Sequence, residues 1–84
     1  MAHFEKEIGK RIRRLRLERG YSCEELAVML DINVEMMNLL EQGKMRLFVD
    51  NVSKLAIIFD VTTDYIIYGL DGKKQNYYAR LTDE

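Results

Sequence analysis

Helical periodicity, cut at short intervals by glycine or by a capping residue and never by proline, is the feature that most constrains this chain. Phe4, Ile8, Ile12 and Leu15 recur at spacings of four, four and three, one stripe of an amphipathic helix that runs to about Arg19 and stops at Gly20. Ser22 and Glu25 stand in capping-box register, where hydroxyl and carboxylate each satisfy a free backbone N–H. A second, short helix therefore begins at Cys23 and turns Leu26, Ala27 and Leu30 inward. It breaks near Asp31, and Asn33 is a good N-cap for a third helix that reaches about Glu41 and closes at Gly43. Val52, Leu55, Ala56 and Phe59 mark a fourth helix, and Thr62 or Thr63 caps a fifth that carries Tyr65, Ile66 and Ile67 before Gly69. Helices this short are marginal in water by themselves and gain their stability from packing apolar faces together. The expectation is an all-α fold of five helices around one core.

Eighty-four residues close one such core and cannot divide their apolar surface between two. The division expected is a domain over residues 1–70 and a tail over 71–84, in which Tyr77, Tyr78 and Leu81 are the apolar anchors. The β-branched stretch from Asp60 to Thr63 is too short and too close to caps to be a strand. One cysteine, Cys23, and one histidine, His3, support neither an internal disulfide nor a metal site, and no cofactor motif is present. Paired carboxylates in a shielded setting, a nucleophile with its base and a phosphate-cradling glycine loop are all missing, so the chain does not read as an enzyme. Apolar runs such as Leu55 to Phe59 fall far short of the roughly 20 residues that cross a bilayer, and no signal segment opens the sequence. A cytoplasmic protein is expected.

Charge is unevenly placed. Lys6, Lys10, Arg11, Arg13, Arg14, Arg16 and Arg19 crowd the first twenty residues, whereas Asp60, Asp64, Asp71, Asp83 and Glu84 make the second half acidic. A formal net charge of −1 argues mildly against a dedicated nucleic-acid binder, but a polarised distribution can orient a protein on a polyanion. The alternative is a charge run that is no more than the solvated face of a helix.

From Ser22 to Gly43 the pattern becomes recognisable: a capped short helix with Leu26-Ala27, a tight connection through Ile32-Asn33, and a second short helix ending Leu40-Glu41-Gln42-Gly43. With Ile8, Ile12, Leu15 and Arg16 before it, Leu55-Ala56 after it and Asp64-Tyr65-Ile66-Ile67-Tyr68-Gly69 at the close, the chain resembles the XRE/Cro-type, phage-repressor-like helix-turn-helix domains over roughly residues 5 to 70. The resemblance implies a sequence-specific transcriptional regulator that binds double-stranded DNA as a dimer, with the helix at about 34–42 in the major groove. It also implies an internal ion pair between Arg16 and Glu41, which would either aim Arg16 near a phosphate or serve the fold alone. The DNA-contacting positions carried over are Arg16, Ser22, Cys23, Asn33, Val34, Glu35, Asn38, Leu39, Lys44 and Arg46.

Several of these positions depart from the family's habit. Where relatives commonly carry Gln, Arg, Ser, Thr or Lys, this chain has Val34, Glu35, Met36, Asn38 and Leu39, and the usual Gln at the start of the second helix is Cys23. Asn38 suits adenine, Glu35 can accept from the amino group of cytosine, and Val34, Met36 and Leu39 can meet thymine methyls but cannot anchor to phosphate. Lys44 and Arg46 remain available to the DNA backbone. Of the apolar residues around them, Met37, Leu40 and one or two of Leu47 and Phe48 are assigned to the core. Val34, Met36 and Leu39, together with Met45, would then leave an apolar surface patch of the kind that marks protein contacts. A helix-turn-helix turned to protein–protein interaction or dimerisation therefore stands as the alternative function.

Overall fold

In a computed structural model the chain is described from residue 2 to residue 70, with side chains from Phe4 onward. Five helices follow one another: α1 (Ala2–Glu18), α2 (Cys23–Leu30), α3 (Val34–Gln42), α4 (Val49–Phe59) and α5 (Thr63–Tyr68). No strand occurs among the described residues. The tail expectation, with Tyr77, Tyr78 and Leu81, lies outside them.

The expected signals set the helix ends. The Ser22 hydroxyl accepts from the Glu25 N–H at 3.0 Å while the Glu25 carboxylate accepts from the Ser22 N–H at 2.8 Å, so the capping box is complete. Asn33 accepts from the Met36 N–H at 2.8 Å and Thr62, not Thr63, from the Tyr65 N–H at 3.0 Å. Asp31 and Asp60 end α2 and α4 in the left-handed region, at φ 59° and 55°, where a short polar side chain is better tolerated than a branched one. The start of α4 has no such help: Phe48 sits at its N-cap without a side-chain hydrogen bond.

All five helices feed one core. Ile12 and Leu15 of α1, Leu26 of α2, Met37 of α3, Leu55 and Phe59 of α4 and Ile66 of α5 are inaccessible to solvent. The α1 stripe is shorter than its spacing implied, because Phe4 lies in the first turn, beyond the reach of the core, and is 44% exposed; its ring instead meets that of Tyr68 at 6.1 Å. Of the two loop residues, Leu47 is half-buried against the core and Phe48 is exposed.

α1 serves as the strut of the domain. Arg11 donates to the carbonyls of Ile66 and Ile67, both at 2.9 Å, and so caps the carbonyl end of α5. Arg19 donates to the Phe59 carbonyl and lies over the Phe59 ring at 5.6 Å, doing the same for α4. Against α3 the approach is closer still, and Gly9 permits it. A Cβ built on Gly9 would lie 2.5 Å from the Leu40 carbonyl oxygen and 2.6 Å from that of Glu41. Gly43, at φ 74°, meets the same helix from the other side, where a Cβ would stand 2.5 Å from the Lys6 Cα.

Gly9→Ala exchanges a poor helix former for the best one, a gain of about 1 kcal/mol on propensity alone. Because the added methyl strikes backbone that cannot step aside, the expected outcome is the reverse: a net loss of about 1–3 kcal/mol, read as a Tm lower by about 4–8 °C per kcal/mol. A Tm equal to or above that of the parent would show that α1 and α3 do not meet at this distance.

Candidate nucleic-acid interface

The corner from α2 to α3 turns on three residues, Asp31, Ile32 and Asn33, and leaves α3 with one side in the core and one in solvent. Met37 and Leu40 point inward. At 100° per residue the opposite side carries Glu35 and Gln42 near its centre, with Val34, Asn38 and Leu39 flanking them, and all five are exposed. Met36 is half-buried and Met45 packs against the core. The apolar patch is therefore smaller than the sequence suggested: Met45 leaves it, Met36 contributes an edge, and Val34 and Leu39 remain, 36% and 39% exposed.

Two anchors aim this helix. At its start the Asn33 cap fixes the first turn. At its end Arg16 grips Glu41 through both guanidinium edges, Nε to Oε2 at 2.6 Å and Nη2 to Oε1 at 3.1 Å, while Nη1 donates to the Tyr21 carbonyl at 3.0 Å. The two side chains are 10% and 8% exposed, and the hydrogen bond to Glu41 holds the Arg16 pKa above its ordinary value against the opposing effect of burial. A bidentate pair in this setting fixes both position and orientation. With each guanidinium nitrogen making one internal hydrogen bond and little of the side chain accessible, Arg16 positions α3; its second Nη1 and Nη2 N–H groups take no part in these bonds.

Cys23 opens α2 half-buried, and its thiol donates to the Asn38 Oδ1 at 3.1 Å, linking the first turn of α2 to the middle of α3. Burial, reinforced by the Glu41 carboxylate, pushes the thiol pKa up, so the sulfur keeps the proton that it donates. Asn38 is thereby oriented, with its oxygen turned toward α2 and its amide N–H groups left for another partner. Ser22 is spent on its own cap. Lys44 is exposed beyond the left-handed Gly43. Arg46 is exposed too, with a loose contact to Glu5 at 3.8 Å.

The basic cluster of the first twenty residues divides by duty. Arg11, Arg16 and Arg19 are committed to the fold, and Arg14 reaches the Tyr65 hydroxyl at 3.3 Å. Lys6, Lys10 and Arg13 of α1 are exposed, with Lys10 near Glu7 at 3.6 Å. Reading the sequence missed Gly9, Arg11 and Arg19 as structural residues and Gln42 as a member of the exposed α3 face. A glycine inside a helical stripe is a signal for close approach, and the seven-residue step from Glu35 places Gln42. Nothing local announces that an arginine will cap a helix far along the chain. Among the described residues no helix is long and apolar enough to cross a membrane, and no cluster of His, Cys, Asp and Glu is suited to a metal ion.

Known proteins share this arrangement. A helix-turn-helix family profile matches residues 12–66, from the middle of α1 into α5, and the chain belongs to that family, the XRE/Cro type of helix-turn-helix domain. The restriction-modification controller protein C.AhdI from Aeromonas hydrophila superposes with a TM-score of 0.70 at 26% identity, over 77% of this chain and 94% of that one. The N-terminal DNA-binding domain of SinR from Bacillus subtilis gives 0.66 at 26% identity, over 73% and 90%. SinR in complex with DNA, described as the master regulator for biofilm formation, gives 0.64 at 27% identity, over 70% and 95%. A search of curated protein sequences found no significant match.

Glu41→Ala leaves the Arg16 guanidinium in the interior without its counter-charge. The expected loss is about 3–5 kcal/mol in denaturant unfolding, with α3 the first element to lose amide protection in hydrogen exchange. A loss below about 1 kcal/mol would place the pair among ordinary surface contacts.

Proposed function

We propose that the chain is a sequence-specific DNA-binding transcriptional regulator of the XRE/Cro type that lays α3 in the major groove and acts in the cytoplasm. The observation that carries this reading is the exposed side of α3, which contributes nothing to the core yet is held at both ends, by the Asn33 cap and by the Arg16–Glu41 pair. A rod so fixed presents side chains to base edges in one register. Lys44, Arg46 and the N–H groups at the start of α2 supply the backbone contacts. Two copies related by a two-fold axis would match a palindromic half-site pair.

Phosphate neutralisation releases counterions, so affinity for duplex DNA should fall steeply as salt rises. In a mobility-shift series on DNA flanking the coding region, Lys44→Ala and Arg46→Ala should each weaken binding to all sequences alike and reduce the salt slope by about 1. Affinity that is indifferent to salt rejects the reading.

A second reading rests on one observation: the exposed face of α3 carries no cation and includes Val34 and Leu39. In this version the face docks a protein or a second copy of the chain. Leu39→Asp would then abolish the assembly seen by sedimentation while leaving the unfolding transition in place, because Leu39 lies outside the core. An unchanged sedimentation profile and unchanged partner recovery dismiss it.

A further inference from the structure

The outward side of α3 is chemically one-sided: a carboxylate at its centre, aliphatic groups at Val34 and Leu39, amides at Asn38 and Gln42, and no cation. From this set we infer that α3 selects a half-site in which a cytosine amino group lies beside a pyrimidine C5 methyl. The inference rests on the major-groove reading proposed above and names the base chemistry that it recognises.

Glu35 decides the first half. Among the described residues no hydrogen bond or ion pair engages its carboxylate, so it remains a bare acceptor at the place nearest the bases. Guanine shows two acceptors in the major groove, N7 and O6, and repels it; thymine shows the acceptor O4. Adenine offers an amino group, but N7 stands next to it and faces the second carboxylate oxygen with a lone pair. Cytosine offers its N4 amino group beside an apolar C5 edge and has no adjacent acceptor. A carboxylate near the phosphates weakens binding to every sequence, and only a cytosine amino group compensates for that repulsion. Glu35 therefore excludes more sequences than it attracts.

Leu39 decides the second half. It stands four residues after Glu35 on the same face, at a Cβ separation of about 5–6 Å. Successive bases of one strand are about 3.4 Å apart, so the two side chains reach the same base or its neighbour. An exposed leucine at that distance is matched by a methyl at C5. Asn38 can still pair with adenine, but only through the second lone pair of an oxygen that the Cys23 thiol holds toward α2. The methyl has two sources, a thymine next to the cytosine or a methyl group on the cytosine itself, and both present the same amino-plus-methyl edge.

The test selects duplexes from a randomised pool with the full chain and then alters single atoms in the selected duplex. Replacing thymine by deoxyuridine, or cytosine by 5-methylcytosine, removes or adds one methyl. The expected change is about fourfold in Kd per contacted methyl, and Leu39→Ala should make binding blind to it. A loss with deoxyuridine assigns the methyl to thymine, and a gain with 5-methylcytosine assigns it to the modified base; either supports the inference. Glu35→Gln should move the preference at one position from cytosine to adenine and raise affinity for unrelated duplexes. Binding that is sequence-selective yet unmoved by both methyl changes, or by Glu35→Gln, overturns the inference and leaves the DNA-binding reading standing. Failure to bind any duplex at low salt overturns both. Both substituted residues lie outside the core, and an unchanged Tm verifies that the variants are folded.

Discussion

The grip of Arg16 on Glu41 and on the Tyr21 carbonyl is the interaction on which the arrangement depends. It ties together three parts of the chain that the turns alone leave free to pivot: the last turns of α1, the connection into α2 and the final turn of α3. A hydrophobic contact in the same place would hold the helices together but allow rotation of α3 about its own axis. Two parallel hydrogen bonds to one carboxylate do not. The interaction restricts direction more than it adds stability, since two desolvated charges recover little more than the cost of their burial.

Around this joint α1 behaves as a frame. Arg11 and Arg19 close the carbonyl ends of α5 and α4, helices too short to hold those ends firmly by themselves. Gly9 brings the same helix into backbone contact with α3. Three members of a cluster that looked like an electrostatic footprint, Arg11, Arg16 and Arg19, are thus internal carpentry. The cluster's net contribution to steering a polyanion comes from Lys6, Lys10 and Arg13, with Lys44 and Arg46 beyond α3.

The fold was legible because its punctuation is local. A serine three residues before a glutamate, an asparagine before an apolar turn and a glycine after one each carry their meaning within four residues, and apart from the uncapped start of α4 at Phe48 the helix ends lie close to such local signals. Errors arose where the deciding partner is distant in sequence. Phe4 has the right spacing for the core but sits a turn too early to reach it, and Met45 looked like surface until the packing of its loop drew it inward. The site was legible in outline for the same reason as the fold: helical phase alone separates Met37 and Leu40 from Glu35 and Leu39. The hydrogen bond between Cys23 and Asn38 was not legible, because it joins two helices across a corner whose angle no local residue specifies.

That separation of phases has a consequence for how such a domain changes over time. The interior positions of α3 and the clasp at its end hold the rod, so the outer positions that make no contact with the rest of the fold, Glu35 foremost, can be rewritten at little cost to folding. A helix-turn-helix of this construction is a fixed handle with an interchangeable bit. The acidic and aliphatic set on this chain is one such bit.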